Sequence, residues 1–139
     1  MKTNIILAGV GGQGILTIAA VIDTAALDNN LHIKQSEVHG MSQRGGAVQS
    51  HVRISDTEIF SDLIPQGKAD IIISVEPMEL LRYLPFLKED GFLLIRIPIA
   101  ESKAWEEYGP LWVQLDAPRH YFIHSLKGLE KLFSQAGFR

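Results

Sequence analysis

The sequence predicts an α/β fold: a single doubly wound, Rossmann-like domain around a mainly parallel sheet. Three observations carry this expectation. Two uninterrupted apolar runs, IILA at 5–8 and IIISV within 70–75, lack the polar alternation of a half-exposed strand and read as strands covered on both faces. A glycine turn, GVGGQG at 9–14, joins the first run to a segment with helical spacing. Strand-like and helix-like segments then alternate, an order that right-handed crossovers convert into a parallel sheet.

In chain order, residues 4–9 form the first strand, ended abruptly by glycine. From 15 to 27, Ile15, Leu16, Ile18, Ala19, Val21, Ile22, Ala25 and Ala26 cover most of a helical circumference and predict a largely buried helix. Asp28, Asn29 and Asn30 end it, and a weaker second strand follows over 33–38. The stretch HGMSQRGG at 39–46 contains three glycines and no periodicity, so it reads as a loop placed directly after a strand. Residues 47–54 alternate Val48, Ser50, Val52 and Ile54 with Gln49, His51 and Arg53, which predicts a strand with one wetter face. A turn at 55–57 returns 58–60 as its hairpin partner.

The run at 70–75 is the next central strand. Pro77 suits the first turn of a helix, where its missing N–H costs nothing; that helix carries Met78, Leu81, Leu84 and Leu87 to Lys88, and a third apolar strand occupies 92–97. Beyond Pro98 the character changes, with Trp105, Tyr108, Trp112, Tyr121 and Phe122 close together. Ser125 caps a short helix bearing Leu126, Leu129, Leu132, Phe133 and Ala136, stopped by Gly137.

At 139 residues the chain fits one domain with one core. Hydrophobic residues at 46%, charged residues at 21% and a mean hydropathy of +0.09 describe a globular rather than a disordered chain. It has no cysteine, which removes thiolate nucleophiles, Cys-ligated zinc and iron–sulfur ligation by this chain. A net charge of −3 argues against a broad nucleic-acid or anionic-membrane surface. The opening apolar run is too short for a leader or a membrane span, so the expected location is the cytoplasm.

GVGGQG has G-x-G-x-x-G spacing, with Gly9, Gly11 and Gly14 in the three roles and Gly12 and Gln13 between them. Such a turn brings backbone N–H groups and a helix N-terminus to an anion. Two readings stand: anion or cofactor binding, and a tight turn whose glycines serve packing. In a dinucleotide site an acidic residue about 20 positions on would hold a ribose; Glu37 is the nearby candidate. The second loop also has two readings: Ser42, Gln43 and Arg44, followed by Gly45 and Gly46, face a ligand or a partner, with Arg44 able to meet a phosphate or carboxylate through both nitrogens, or the segment is a solvated turn with an exposed arginine; the first is favoured. His120 and His124 have i, i+4 spacing but no nearby carboxylate, so packing or surface histidines are favoured over a metal site. There is no G-x-S-x-G elbow to expose a nucleophile. Glu76 is read as a helix-start carboxylate rather than a crevice residue. No catalytic residue is assigned.

Three segments in order, GVGGQGILT at 9–17, SEVHGMSQRGGAVQSHVRIS at 36–55 and ADIIISVEPMELLRYLPFLKEDG at 69–91, resemble the gamma domain of 2-oxoacid:ferredoxin oxidoreductases, nearest to the indolepyruvate enzymes. The resemblance implies a subunit of a complex that oxidatively decarboxylates aryl 2-oxo acids, with coenzyme A as acyl acceptor and ferredoxin as electron acceptor. It implies that thiamine diphosphate, magnesium and iron–sulfur clusters lie on a partner subunit, and that this chain alone is inactive. The glycine turn and the 42–46 loop are then expected to complete or cover a composite active site.

From 92 to 139 the sequence instead resembles the C-terminal part of a class I S-adenosylmethionine-dependent methyltransferase, through WVQLDAPRH at 112–120 and AGF at 136–138. Two segments are therefore expected, 1–91 and 92–139, the second completing or appended to the same α/β domain, with the seam in LKEDGFLL. A sequence-assembly error, a natural recombination and drift of the family tail each account for such a chimera; the first is favoured because the methyltransferase-like piece stops before further strands of that fold. The competing functional readings are a methyltransferase fragment and a nucleotide-binding regulatory module.

Overall fold

The computed structural model describes residues 1–40, 45–115 and 122–138. The chain divides into two compact units, Met1–Arg96 and Ile97–Arg139. The first contains a five-stranded sheet of order β2-β3-β1-β4-β5, with β1 Lys2–Val10, β2 His32–His39, β3 Ala47–Ser55, β4 Ala69–Ser74 and β5 Leu87–Ile95. Helix α1, Ile15–Asp28, follows β1; helix α2, Pro77–Tyr83, follows β4 and runs into a 3-10 turn at Leu84–Phe86.

The predicted α/β class holds. β1 pairs parallel with β4, and β4 with β5. β3 is antiparallel to both β1 and β2. Four strands therefore point one way and β3 alone reverses, making the sheet mixed. β2 and β3 form a hairpin, and its second strand is inserted between β1 and β2.

The uninterrupted apolar runs have the predicted cause. On one face Ile5, Leu7, Val48, Val52 and Ile54 pack with Ile15, Ala19 and Ala26 of α1. On the other, Ile6 and Ile72 pack with Ala69, Ile64 and Leu80 of α2. Alternate residues of β1 thus enter opposite cores, and each fully buried aliphatic side chain contributes roughly 1.5–3 kcal/mol.

Four local expectations need correction. α1 buries only Ile15, Ala19 and Ala26, while Leu16, Val21 and Leu27 are exposed, because alanines let one face suffice. Residues 58–60 form no strand. β5 begins at Leu87 rather than 92: its KEDG stretch, charged and unreadable as a strand, forms an irregularity opposite β4 in which Asp70 pairs with Lys88. Gly91 is a close-approach position there: an added Cβ would lie 2.7 Å from Leu87 Cδ1 and 3.1 Å from the Ala69 carbonyl oxygen. Finally, His51 and Arg53 on the expected wetter face of β3 are buried, because the chain after β3 folds back over them.

The unit boundary follows β5, so residues 92–95, expected to open the tail, complete the sheet of the first unit. In the second unit, α3 is Lys103–Tyr108 and α4 is Leu126–Gln135. The predicted Ser125 cap is present, its Oγ accepting from Gly128 N at 3.0 Å. The Glu101 carboxylate accepts from Leu126 N at 2.7 Å, and Ile99 bridges His124. His120 and Tyr121 lie outside the described residues.

Candidate functional site

At the carboxyl end of β1 the chain must turn sharply into α1, and glycine is needed for two separate reasons. Gly12 and Gly14 have φ of 93° and 82°, a left-handed backbone that other residues resist. Gly9 is a close-approach position: an added Cβ would lie 2.7 Å from Val75 Cγ2 and 2.9 Å from Ile15 Cδ1. The glycines thus serve a tight strand-to-helix turn, through packing at Gly9 and left-handed backbone at Gly12 and Gly14.

Gln13 locks the turn. Its Oε1 accepts from Val10 N at 2.9 Å, and its Nε2 donates to Glu76 Oε2 at 3.3 Å. Glu76 is buried and follows β4 directly, where Ser74 Oγ donates to its carbonyl at 2.8 Å. Although Glu76 is the N-cap of α2, its side chain caps nothing. The helix-start reading is therefore corrected: the carboxylate faces the glycine turn. The available signal was an acidic residue directly after a buried parallel strand.

The second predicted loop meets the first. Gly11 N donates to Gly46 O at 2.9 Å, and Gly40 N donates to Ala47 O at 2.7 Å, closing the loop's base. Gly45 has φ of 76°. Gly9, Gly11, Gly12, Gln13 and Gly14 therefore share one sheet end with Gly45 and Gly46. Ser42, Gln43 and Arg44 lie outside the described residues. Arg96, which sequence reasoning did not single out, lies at the same end of β5 and donates its backbone N–H to Ser74 O at 2.9 Å.

This end is a topological switch point. α1 leaves β1 across one face of the sheet and α2 leaves β4 across the other, as the two cores show. Ligands of open α/β sheets bind in the crevice such a divergence leaves. No side chain caps the first turn of α1, and no acidic residue lies in it. Its first-turn N–H groups and the positive end of the helix dipole therefore have no side-chain cap or carboxylate of the helix itself to meet them.

A dinucleotide arrangement is not reproduced. Glu37 lies on β2, which β3 separates from β1, so two strand spacings of about 4.8 Å intervene. Its carboxylate is engaged by Gln35 and by His39, the latter at 3.3 Å. Among the described residues no group of three His, Cys, Asp or Glu could hold a metal ion, and no helix is long and apolar enough to cross a membrane.

Residues 4–128 match the family model described as pyruvate ferredoxin/flavodoxin oxidoreductase. The chain belongs to this family. The match extends beyond the expected seam at Gly91. Among curated relatives, the indolepyruvate oxidoreductase subunit IorB of Pyrococcus horikoshii is 49% identical over 90 residues, covering 65% of this chain and 44% of that one. The same subunit of Archaeoglobus fulgidus is 46% identical over 95 residues, covering 68% and 46%. The 2-oxoglutarate synthase subunit KorC of Methanothermobacter marburgensis is 36% identical over 96 residues, covering 68% and 50%. This member of the family thus spans about half the length of these relatives. A solved keto/oxoacid ferredoxin oxidoreductase gamma subunit from Geobacter sulfurreducens is 27% identical with a TM-score of 0.55, covering 82% of this chain and 70% of that one. A 2-oxoglutarate:ferredoxin oxidoreductase from Magnetococcus marinus, 18% identical with a TM-score of 0.61, covers 97% and 27% and shares the fold.

Proposed function

We propose that this family member is the gamma-type portion of a 2-oxoacid:ferredoxin oxidoreductase acting on indolepyruvate or another aryl pyruvate. The observation that carries this reading is the 49% identity over 90 residues to an indolepyruvate oxidoreductase subunit. The overall reaction converts a 2-oxo acid and coenzyme A to acyl-coenzyme A and carbon dioxide, passing two electrons to ferredoxin.

The chain has no cysteine, so its residues do not fit an iron–sulfur cluster held by thiolates. Clusters, thiamine diphosphate and magnesium belong on the partner subunit in this reading. Thiamine diphosphate supplies the carbanion-stabilising chemistry when bound there. What remains for this chain is anion binding and positioning. The exposed N–H groups at Gly12, Gly14 and the first turn of α1 suit an anionic group such as a coenzyme diphosphate. Gln13, tied to Val10 N and Glu76, holds that turn in its donor conformation. Gly46 O accepts from Gly11 N beside that turn, and in this reading Arg44 adds a cationic contact to the anion. The cytoplasmic location expected from the sequence belongs to the same reading.

The test is reconstitution with the thiamine diphosphate-binding subunit of an indolepyruvate oxidoreductase. Coenzyme A-dependent dye reduction with indolepyruvate should require the chain, and Arg44→Ala should lower turnover at limiting coenzyme A by about tenfold. Unchanged turnover would remove the arginine's role. Tight calorimetric binding of S-adenosylmethionine or NAD by the isolated chain would sink the whole reading.

A further inference from the structure

Beside the glycine turn stands a charged side chain that the turn itself does not need. Glu76 lies at the carboxyl end of β4 and is 6% exposed. Fully buried Ser74 clamps its backbone, the hydroxyl donating to Glu76 O at 2.8 Å and accepting from Glu76 N at 3.4 Å. Val75, between them, donates its N–H to Ala8 O of β1 at 3.0 Å. The carboxylate is therefore carried on a backbone held in place from both sides.

That carboxylate is short of partners. An ionised carboxylate has about four lone-pair sites, and a buried charge is ordinarily paired or fully hydrogen-bonded. Among the described residues Glu76 belongs to no ion pair. Its side chain does not cap α2, and among those residues it accepts one hydrogen bond, from Gln13 Nε2 to Oε2 at 3.3 Å. This donor is neutral and slightly beyond the usual N–H···O range. Orienting the Gln13 amide requires a single neutral acceptor, so the charge and the second oxygen, Oε1, exceed what the turn uses. The charge also opposes any anion approaching Gly12 and Gly14, between which Gln13 sits. A carboxylate in that place favours a ligand that carries a hydrogen-bond donor next to its phosphate, and disfavours a bare anion.

We propose that Glu76 is a specificity-determining residue of the coenzyme site: its Oε1 accepts a hydrogen bond from a hydroxyl or amide N–H of coenzyme A, next to the diphosphate that the glycine turn takes. This rests on the reading of the chain as the gamma-type portion of the oxidoreductase. A charge-assisted bond to a preorganised acceptor offsets the repulsion between carboxylate and diphosphate; a bare phosphate meets the repulsion alone. Gln13 links the two halves of the site, fixing Val10 N through its own Oε1 and Glu76 through Nε2. The acceptor role that a dinucleotide site would give Glu37 passes to Glu76, which follows the strand paired directly with β1.

The test is calorimetry on the chain reconstituted with the thiamine diphosphate-binding subunit of an indolepyruvate oxidoreductase, loaded with thiamine diphosphate and without 2-oxo acid. Coenzyme A is titrated directly, and inorganic pyrophosphate is read as its competitor. Glu76→Gln keeps an acceptor for Gln13 Nε2 and replaces the other oxygen with a donor. It should weaken coenzyme A by about thirtyfold and strengthen pyrophosphate by about threefold, because a like charge is gone. Glu76→Asp, which keeps the charge and withdraws it by one methylene, should weaken coenzyme A without strengthening pyrophosphate; it decides the matter if the glutamine variant has a lowered urea midpoint. Gln13→Ala, which loosens the turn, should weaken both ligands. If the Glu76 variants weaken both ligands alike, or change neither, Glu76 serves the turn alone and the proposal falls while the subunit reading stands. Failure of pyrophosphate to compete in parent and variants removes the anion site and the proposal with it. If the parent complex does not bind coenzyme A, the subunit reading falls as well.

Discussion

His51 illustrates how one side chain ties the stability of the fold to pH. Burial pushes its proton affinity down from the usual histidine value of 6.5; Asp62 opposes this and Arg53 adds to it. The neutral ring is also required geometrically, because Nδ1 accepts from Ile64 N. The folded protein therefore binds the proton less readily than the unfolded chain. The contribution of His51 is fully present above pH 6.5 and declines as pH falls below it, by at most about 1.4 kcal/mol per pH unit. Urea unfolding between pH 7.5 and 5.5 should show this decline. His51→Gln, whose amide oxygen accepts the same bond without titrating, should remove that part of the slope.

At the scale of the element, the start of α1 is governed by a left-handed residue rather than by a side-chain cap. Gly14 is the N-cap at φ 82°, with nothing within 4 Å of an added Cβ. Its requirement is therefore conformational and not steric crowding. Gly14→Ala should destabilise the fold by about 1–2 kcal/mol, and Gly14→Asn by less, because asparagine tolerates this region. Thermal unfolding of the two variants gives the ordering directly; equal losses would assign the cost to something other than backbone conformation. Gly9 would behave differently, since its space is already filled by Val75 and Ile15.

At the scale of the whole molecule, every residue of both hydrophobic clusters lies before Arg96. Both faces of the sheet have their buried residues within the first unit. A chain ending at Arg96 should therefore fold, and unfold cooperatively in urea with a slope appropriate to about 100 residues, roughly 1 kcal/mol/M. Limited trypsin digestion of the full chain should cut first after Arg96 or Lys103. A non-cooperative fragment would show that the first unit depends on residues beyond β5.

Local signals in the sequence carried much of this. The IILA and IIISV runs identified β1 and β4 because a strand covered on both faces has no polar alternation to obscure it. The glycine spacing located the β1–α1 turn, since a left-handed backbone admits few other residues. The Ser125 cap was equally local. The order of strands was not local. β3 enters between β1 and β2 through pairing across the chain, and that insertion separates Glu37 from the glycine turn. Burial of His51 and Arg53 likewise depended on a loop that begins after them in sequence. Glu76 and Gln13 meet only because β1 and β4 are neighbours. Backbone conformation and one-residue-at-a-time burial follow from the side chains nearby; which distant groups share a crevice follows from how strands pair and which face each helix covers, and tertiary structure alone decides that.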